Sequence, residues 1–304
     1  MPPDRVLLVF LDGVGIGPAD PEVNPFLNAR IPTLHHLMGG VLPTLDAPVV
    51  DGGGGHSFPV DATLGVDGTP QSGTGQVALL TGESAAELYG RHFGPWTPVA
   101  LRPLVEDHSV LKRVRQAGRS VAFANAYPKG WPGARGGRRI AGPPLAARGA
   151  GLLTRHEEAL ASGDAVSSEI VNDGWQRHLG HTTLPDVTAG EAGANLARIA
   201  NRHDLTLYAH YATDTAGHRG RMEGAVAALE RVDAFLEGVT THLDNGALLL
   251  LVSDHGNLED VRVGHTRNPS LGVAAGAGAE HAAALRDLRH ITPFLVESLV
   301  SPEV

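Results

Sequence analysis

Asp12, Asp214, His218, Asp254, His255 and His265 are the side chains in this sequence best suited to hold a divalent cation. They lie in LDGVG at 11–15, DTAGH at 214–218, SDHGN at 253–257 and GHTRNP at 264–269. The chain has no cysteine but 16 histidines. Thiolate metal sites, disulfides and cysteine nucleophiles are therefore excluded. What remains is an Asp/His ligand mix of the kind that takes Zn2+ or Mn2+. The four-residue step from Asp214 to His218 puts both side chains on one face if the segment is helical.

A seventh candidate lies in TPQSGTGQVALLTG at 69–82, where a polar, glycine-bearing turn runs into an apolar stretch. This reads as a loop entering a helix. Ser72 or Thr74 would sit at its N-terminus, where free N–H groups and the helix dipole favour an anion. Such a hydroxyl is either an ordinary helix cap or a nucleophile placed where an anion docks. Taken singly, Asp12 also reads as a cap and Asp214–His218 as a surface pair. Asp254-His255 directly follow an apolar run, where two unpartnered polar groups would be costly to bury.

The elements around these residues alternate. Apolar runs at 5–11, 120–124, 205–212 and 247–253 read as strands, the first and last as fully buried ones. Helices are expected at 33–38, at 76–82 behind Ser72, at 109–117 closed by Gly118, and at 222–243. Another is expected at 188–200, where Thr188 and Glu191 form a capping box. Residues 45–59, with the glycine run 52–55, read as loop. Strands alternating with helices imply a three-layer α/β fold around a doubly wound, mostly parallel sheet. Ligands bind such sheets at the carboxyl ends of the strands. Asp12, Asp214 and Asp254-His255 all follow apolar runs, so they can converge although far apart in sequence. The expected division is a core of residues 1–126 and 183–304 with an inserted lid at 127–182. That insertion is rich in Gly, Pro and Arg, and carries Lys129, Arg135, Arg138, Arg139 and Arg148.

The chain has 304 residues, 42% of them hydrophobic, which is enough for a full core. A net charge of -9 argues against coating nucleic acid or an anionic membrane. The N-terminal run VLLVFL is too short for a signal peptide or a membrane span. A soluble, cytoplasmic protein is expected, and nothing in the sequence sets its oligomeric state.

LDGVG, QSGTGQ, DTAGH, SDHGN and GHTRNP, in that order, resemble the alkaline phosphatase superfamily. The branch most resembled is that of cofactor-independent phosphoglycerate mutase and phosphopentomutase, over roughly residues 5–125 and 188–275. The resemblance implies two divalent metal ions, Mn2+ or Zn2+, beside a phosphorylated hydroxyl at Ser72, with Thr74 the weaker match. One ion would be held by Asp12, Ser72, Asp254 and His255, the other by Asp214, His218 and His265. The chain departs from the mutases in two places. Gln76 stands where they usually have His. The interval 84–108 is too short for the large cap that carries their substrate-gripping arginines. Lys129, Arg135, Arg138 and Arg139 are the candidates to grip substrate in its place.

The expected activity is phosphoryl transfer to or from a small phosphorylated substrate through a phosphoserine, as a phosphomonoester hydrolase. The alternatives are a phosphomutase on a sugar or acid phosphate, a phosphodiesterase-like hydrolase, and a non-catalytic metal-binding protein. A sulfatase is disfavoured because Ser72 stands where a sulfatase has cysteine.

Overall fold

The computed structural model describes residues 3–133, 137, 139–219 and 221–300. Its centre is a seven-stranded sheet in the order β2-β3-β7-β6-β1-β5-β4. The strands are β1 (Arg5–Leu11), β2 (Val50–Gly52), β3 (Gly55–Val60), β4 (Val121–Phe123), β5 (Leu205–His210), β6 (Ala247–Val252) and β7 (Ser270–Gly276). β6, β1, β5 and β4 form a parallel block, and β7, β3 and β2 extend it by antiparallel pairing.

β1 is apolar at every buried position because helices cover both faces of the sheet. Val6, Leu8 and Phe10 face a layer containing the helices Ser72–Thr81, Val110–Gln116, Gly142–Gly149 and Leu288–Val300. Leu7, Val9 and Leu11 face Pro32–Leu37, Ala189–Ala200 and Arg221–His242. The Thr188–Glu191 capping box is formed, with Glu191 N donating to Thr188 Oγ1 at 3.2 Å and Thr188 N to Glu191 Oε2 at 2.8 Å.

Three expectations are corrected. Residues 45–59 are not all loop, because β2 and β3 form a hairpin across the glycine run. β3 is held by its register with β7, from His56–Ala274 to Val60–Ser270, a non-local pairing that local composition does not encode. The helix expected at 76–82 begins at Ser72. Its N-cap position is Gln71, so Ser72 is inside the helix and not its cap.

The third correction concerns the lid at 127–182. Ile140, Leu145, Ala146, Ala147 and Ala150 are buried in the main core. GPPLAARG looks like loop, but prolines in the first turn start a helix readily. Its small residues then allow close packing, and a Cβ at Gly149 would lie 2.1 Å from the Glu106 carbonyl oxygen. Further along, Leu160, Ala165, Trp175 and Leu184 form a small separate cluster with Ala126. Among the described residues no helix is long and apolar enough to cross a membrane.

Candidate active site

The sheet register itself brings the first ligand set together. Phe10 pairs with Val252, so two residues further along both parallel strands Asp12 stands beside Asp254. His255 follows, and its Nε2 lies 3.3 Å from Asp12 Oδ1 and 3.7 Å from Asp254 Oδ1. Ser72, in the first turn of its helix, places Oγ 2.9 Å from the same Nε2. Asp12, Ser72, Asp254 and His255 are all buried.

The glycines of SGTG are there because this helix start is crowded. A Cβ at Gly73 would lie 2.2 Å from the Trp96 carbonyl oxygen, and one at Gly75 2.7 Å from that of Asp254. Thr74 is turned away from the cluster. Its Oγ1 donates to the Gln71 carbonyl at 3.3 Å and accepts from Phe93 N at 3.2 Å.

The second set follows β5. Asp214 and His218 lie on the helix Ala212–Arg219, with Oδ2 and Nε2 3.5 Å apart. His265 Nε2 is 3.3 Å from Asp214 Oδ1 and 3.0 Å from His218 Nε2. Nδ1 of His265 lies 3.1 Å from the Pro70 carbonyl oxygen and that of His255 3.2 Å from the Gly256 oxygen. A carbonyl can only accept, so Nδ1 carries a proton and Nε2 is the nitrogen turned toward the site, the arrangement metal-ligating histidines use. The rings of His255 and His265 are 4.0 Å apart, so the two sets adjoin.

A divalent ion fits each set. Asp12, Asp254 and His255 offer ligand atoms within 4.8 Å of one another, as do Asp214, His218 and His265. Asp12 Oδ1 is buried with no well-formed hydrogen bond, its nearest partner being His255 Nε2 at 3.3 Å, and a carboxylate oxygen so placed favours a cation beside it. Burial, reinforced by the Asp12 carboxylate, pushes Asp254 up to about 8, and burial also raises Asp12. Burial opposes charge on His255, but Asp254 and Asp12 outweigh it and push the imidazole up to about 10. The first set thus retains protons where a cation would fit. Burial also opposes charge on Asp214, but His265, His255 and Asn257 hold it down at about 2.

Two residues support the cluster: Gln76, which the sequence marks only as a departure from the mutases, and Glu259, which it does not mark at all. Gln76 Nε2 donates to Asp12 Oδ2 at 3.3 Å and to Asp254 Oδ2 at 3.2 Å, while its Oε1 accepts from Gly142 N at 2.9 Å. The amide at this position therefore bridges the two carboxylates without adding charge.

Glu259 is fully buried and ties three ligand-bearing loops together. Its Oε2 accepts from Gly15 N at 2.9 Å and Asn257 N at 2.8 Å. Its Oε1 accepts from Thr266 Oγ1 at 2.5 Å and Asn268 Nδ2 at 3.0 Å. Glu259→Gln turns an amide NH2 toward two of these donors. It should cost about 3 kcal/mol or more, on the scale of hydrogen bonds to a buried charge. Denaturant unfolding checks this, and a loss under 1 kcal/mol, on the scale of a neutral hydrogen bond, would show that the carboxylate is dispensable.

Of the expected substrate-gripping residues, Arg139 lines the cavity above Ser72. Lys129 does not. Its ammonium is exposed and paired with Glu158, with Glu157 at 3.9 Å, because the Glu157–Ser162 helix presents both acids to it. Arg148 pairs with Glu106 at 2.6 Å. Arg135 and Arg138 lie outside the described residues. The cavity encloses about 1020 Å3, and its walls include Asp12, Ser72, Asp214, His218 and His265.

Residues 178–298 match the family model of the Metalloenzyme superfamily. Over 115 residues the chain is 36% identical to the 2,3-bisphosphoglycerate-independent phosphoglycerate mutase of Halobacterium salinarum. That match covers 34% of this chain and 23% of the relative. The mutase of Akkermansia muciniphila is 35% identical over 79 residues, 26% of this chain and 15% of its own length. The chain thus matches under a quarter of the length of these two relatives. Among solved structures, the PH0037 protein of Pyrococcus horikoshii superposes with a TM-score of 0.59 at 15% identity, covering 100% of this chain and 99% of that one. A cold-active alkaline phosphatase from Shewanella sp. gives 0.52 at 12% identity, over 97% and 100% of the two chains. These two likenesses show a shared fold.

Proposed function

We propose that this chain, a metal-dependent enzyme of the alkaline phosphatase superfamily, hydrolyses phosphomonoesters through a phosphoserine formed on Ser72. The observation that carries this reading is the placement of Ser72 Oγ, 2.9 Å from His255 Nε2, on the wall of a cavity that Asp12 of the first set and Asp214, His218 and His265 of the second also line. Asp12, Asp254, His255 and Ser72 Oγ would hold one divalent ion, Zn2+ or Mn2+, and Asp214, His218 and His265 the other. Such ions, when bound, acidify the hydroxyl and neutralise phosphoryl oxygens.

The chain's own residues supply the geometry. Ser72 Oγ gives up its proton and attacks phosphorus, the ester P–O bond breaks, and the departing alkoxide takes up a proton to leave as the alcohol. Water then attacks the phosphoserine and releases inorganic phosphate, restoring the hydroxyl. Gln76 keeps the two carboxylates of the first set side by side throughout. The Pro70 and Gly256 carbonyls hold His265 and His255 with Nε2 facing the site.

Hydrolysis is favoured over isomerisation by access. The His218 side chain is 43% exposed, so water reaches the second set. A mutase must instead retain its dephosphorylated intermediate. Between 84 and 108 the chain forms only the short helices Ala85–Tyr89 and Arg102–His108 and a 3-10 turn, with Ala85, Ala86 and Val105 packed into the core.

The 36% identity to the Halobacterium salinarum phosphoglycerate mutase over 115 residues favours a phosphomutase as the second reading. One assay separates the two: phosphate release on a panel of phosphomonoesters with Mn2+ or Zn2+, run beside product isomer analysis. Inorganic phosphate should appear in equal amount with the free alcohol. A positional isomer formed without phosphate release would overturn hydrolysis.

A further inference from the structure

The chain has 3 Trp and 4 Tyr, yet Trp96, Tyr127, Trp131 and Tyr211 all line the cavity above Ser72, with Pro95 and Pro144 beside them. That concentration is not needed for a core. Trp96 is 39% exposed, and its carbonyl oxygen would lie 2.2 Å from a Cβ on Gly73, the residue after the nucleophile. The indole therefore belongs to the rim of the reaction site. Also on the cavity wall, the Tyr127 and Trp131 rings are 4.3 Å apart and tilted by 47°. Phe123 stacks behind Tyr127 at 6.1 Å. Tyr211 is braced edge-on by Phe10 at 6.2 Å, one residue before the helix that bears Asp214 and His218. Tyr127, Trp131 and Tyr211 pack against the core and contribute to the lining of the cavity, whose volume far exceeds that of a phosphoryl group. Flat apolar faces in such a place recognise another flat ring by stacking, and do so with little regard to its substituents.

We infer that the substrate is a phosphomonoester whose alcohol carries a planar aromatic ring, seated against the aromatic lining that Trp96, Tyr127 and Trp131 give the cavity. This rests on the phosphomonoesterase reading for the site. A simple aryl phosphate and a nucleoside monophosphate share the recognised chemistry. Arg139 and Arg219, also on the cavity wall, are placed to meet anionic or carbonyl groups at the ring's edge.

The test uses the metal-loaded protein and matched pairs of esters. Nucleoside 5′-monophosphate against ribose 5-phosphate, and 1-naphthyl phosphate against glycerol phosphate, differ in the ring. For at least one pair, kcat/KM should favour the ring-bearing ester about tenfold or more, on the scale of one stacking contact. That ratio should fall toward one in Trp96→Ala and Trp131→Ala, both at positions reachable from solvent. The pair with the larger ratio identifies the source of the ring. Ratios near one in the wild type, or a ratio unchanged in both variants, overturn the inference.

Quenching of tryptophan fluorescence by 1-naphthol and by the free nucleoside is read in parallel and needs no turnover. Saturable quenching that disappears in Trp96→Ala and Trp131→Ala supports the ring site even if no ester is hydrolysed, which would reject hydrolysis alone. Absence of saturable quenching by both probes overturns the inference.

Discussion

Ser72→Ala should lose at least about 10^3-fold in kcat/KM while remaining folded, because nucleophile removal in covalent catalysis costs this much or more. The effect on stability should be small. Ser72 is not the helix cap, and its side chain's one hydrogen bond is to His255, so about 1 kcal/mol is at stake. Thr74→Ala should behave in the opposite way. Thr74 Oγ1 links Gln71 and Phe93, so its loss should lower the unfolding midpoint and leave most turnover. Steady-state kinetics beside denaturant unfolding separates the two. A fully active Ser72→Ala protein would require direct attack by water and would remove the covalent step.

Asp254→Ala should abolish activity through the metal. The wild type should take up close to two divalent ions per chain, one for each set, and a chelator should stop turnover. The Asp254 carboxylate is fully buried in the first set, so its removal should leave close to one ion bound. The readout need not be turnover. Saturating Zn2+ or Mn2+ stabilises the folded state by about 2.7 kcal/mol at a hundredfold excess over Kd for each site. The variant should lose about half of the metal-induced rise in Tm. Elemental analysis that finds two ions in the variant, or none in the wild type, would contradict the assignment of the ligand sets.

Much of the fold, and the clustering of the six Asp and His candidates into two groups, was legible from short motifs placed at strand ends. RVLLVFL could only be a strand covered on both faces, and it spans β1 without an error at either end. Asp214 and His218 are four apart on one helix, so their proximity is local geometry. His265 and Asp12 could be drawn to the same place only by the parallel-sheet rule and by the family resemblance, since the contacts that join them are non-local.

What stayed hidden also has physical reasons. β3 depends on its pairing with β7, and the glycines before it carry no strand propensity. GPPLAARG has loop composition, yet its prolines are confined to the first helical turn and its small residues are what close packing requires. Glu259 lies outside every motif, and Gln76 is marked only as a departure from the mutases' His. One is a buried carboxylate and the other a buried amide, and each acquires its role only when several loops converge on it. Lys129 was read by its charge, but its partner Glu158 lies 29 residues away in sequence.

In the proposed mechanism the phosphoryl group rests on Ser72 during turnover. Acid-quenched turnover with a good ester, followed by proteolysis and mass spectrometry of the peptide containing TPQSGTGQVALLTG, tests it most directly. The covalent mechanism predicts a phosphopeptide carrying its phosphate on Ser72, absent from the Ser72→Ala protein and lost on chelation before mixing. A phosphate found on Thr74, or active enzyme with no phosphopeptide under conditions where hydrolysis of the intermediate limits the rate, would contradict it.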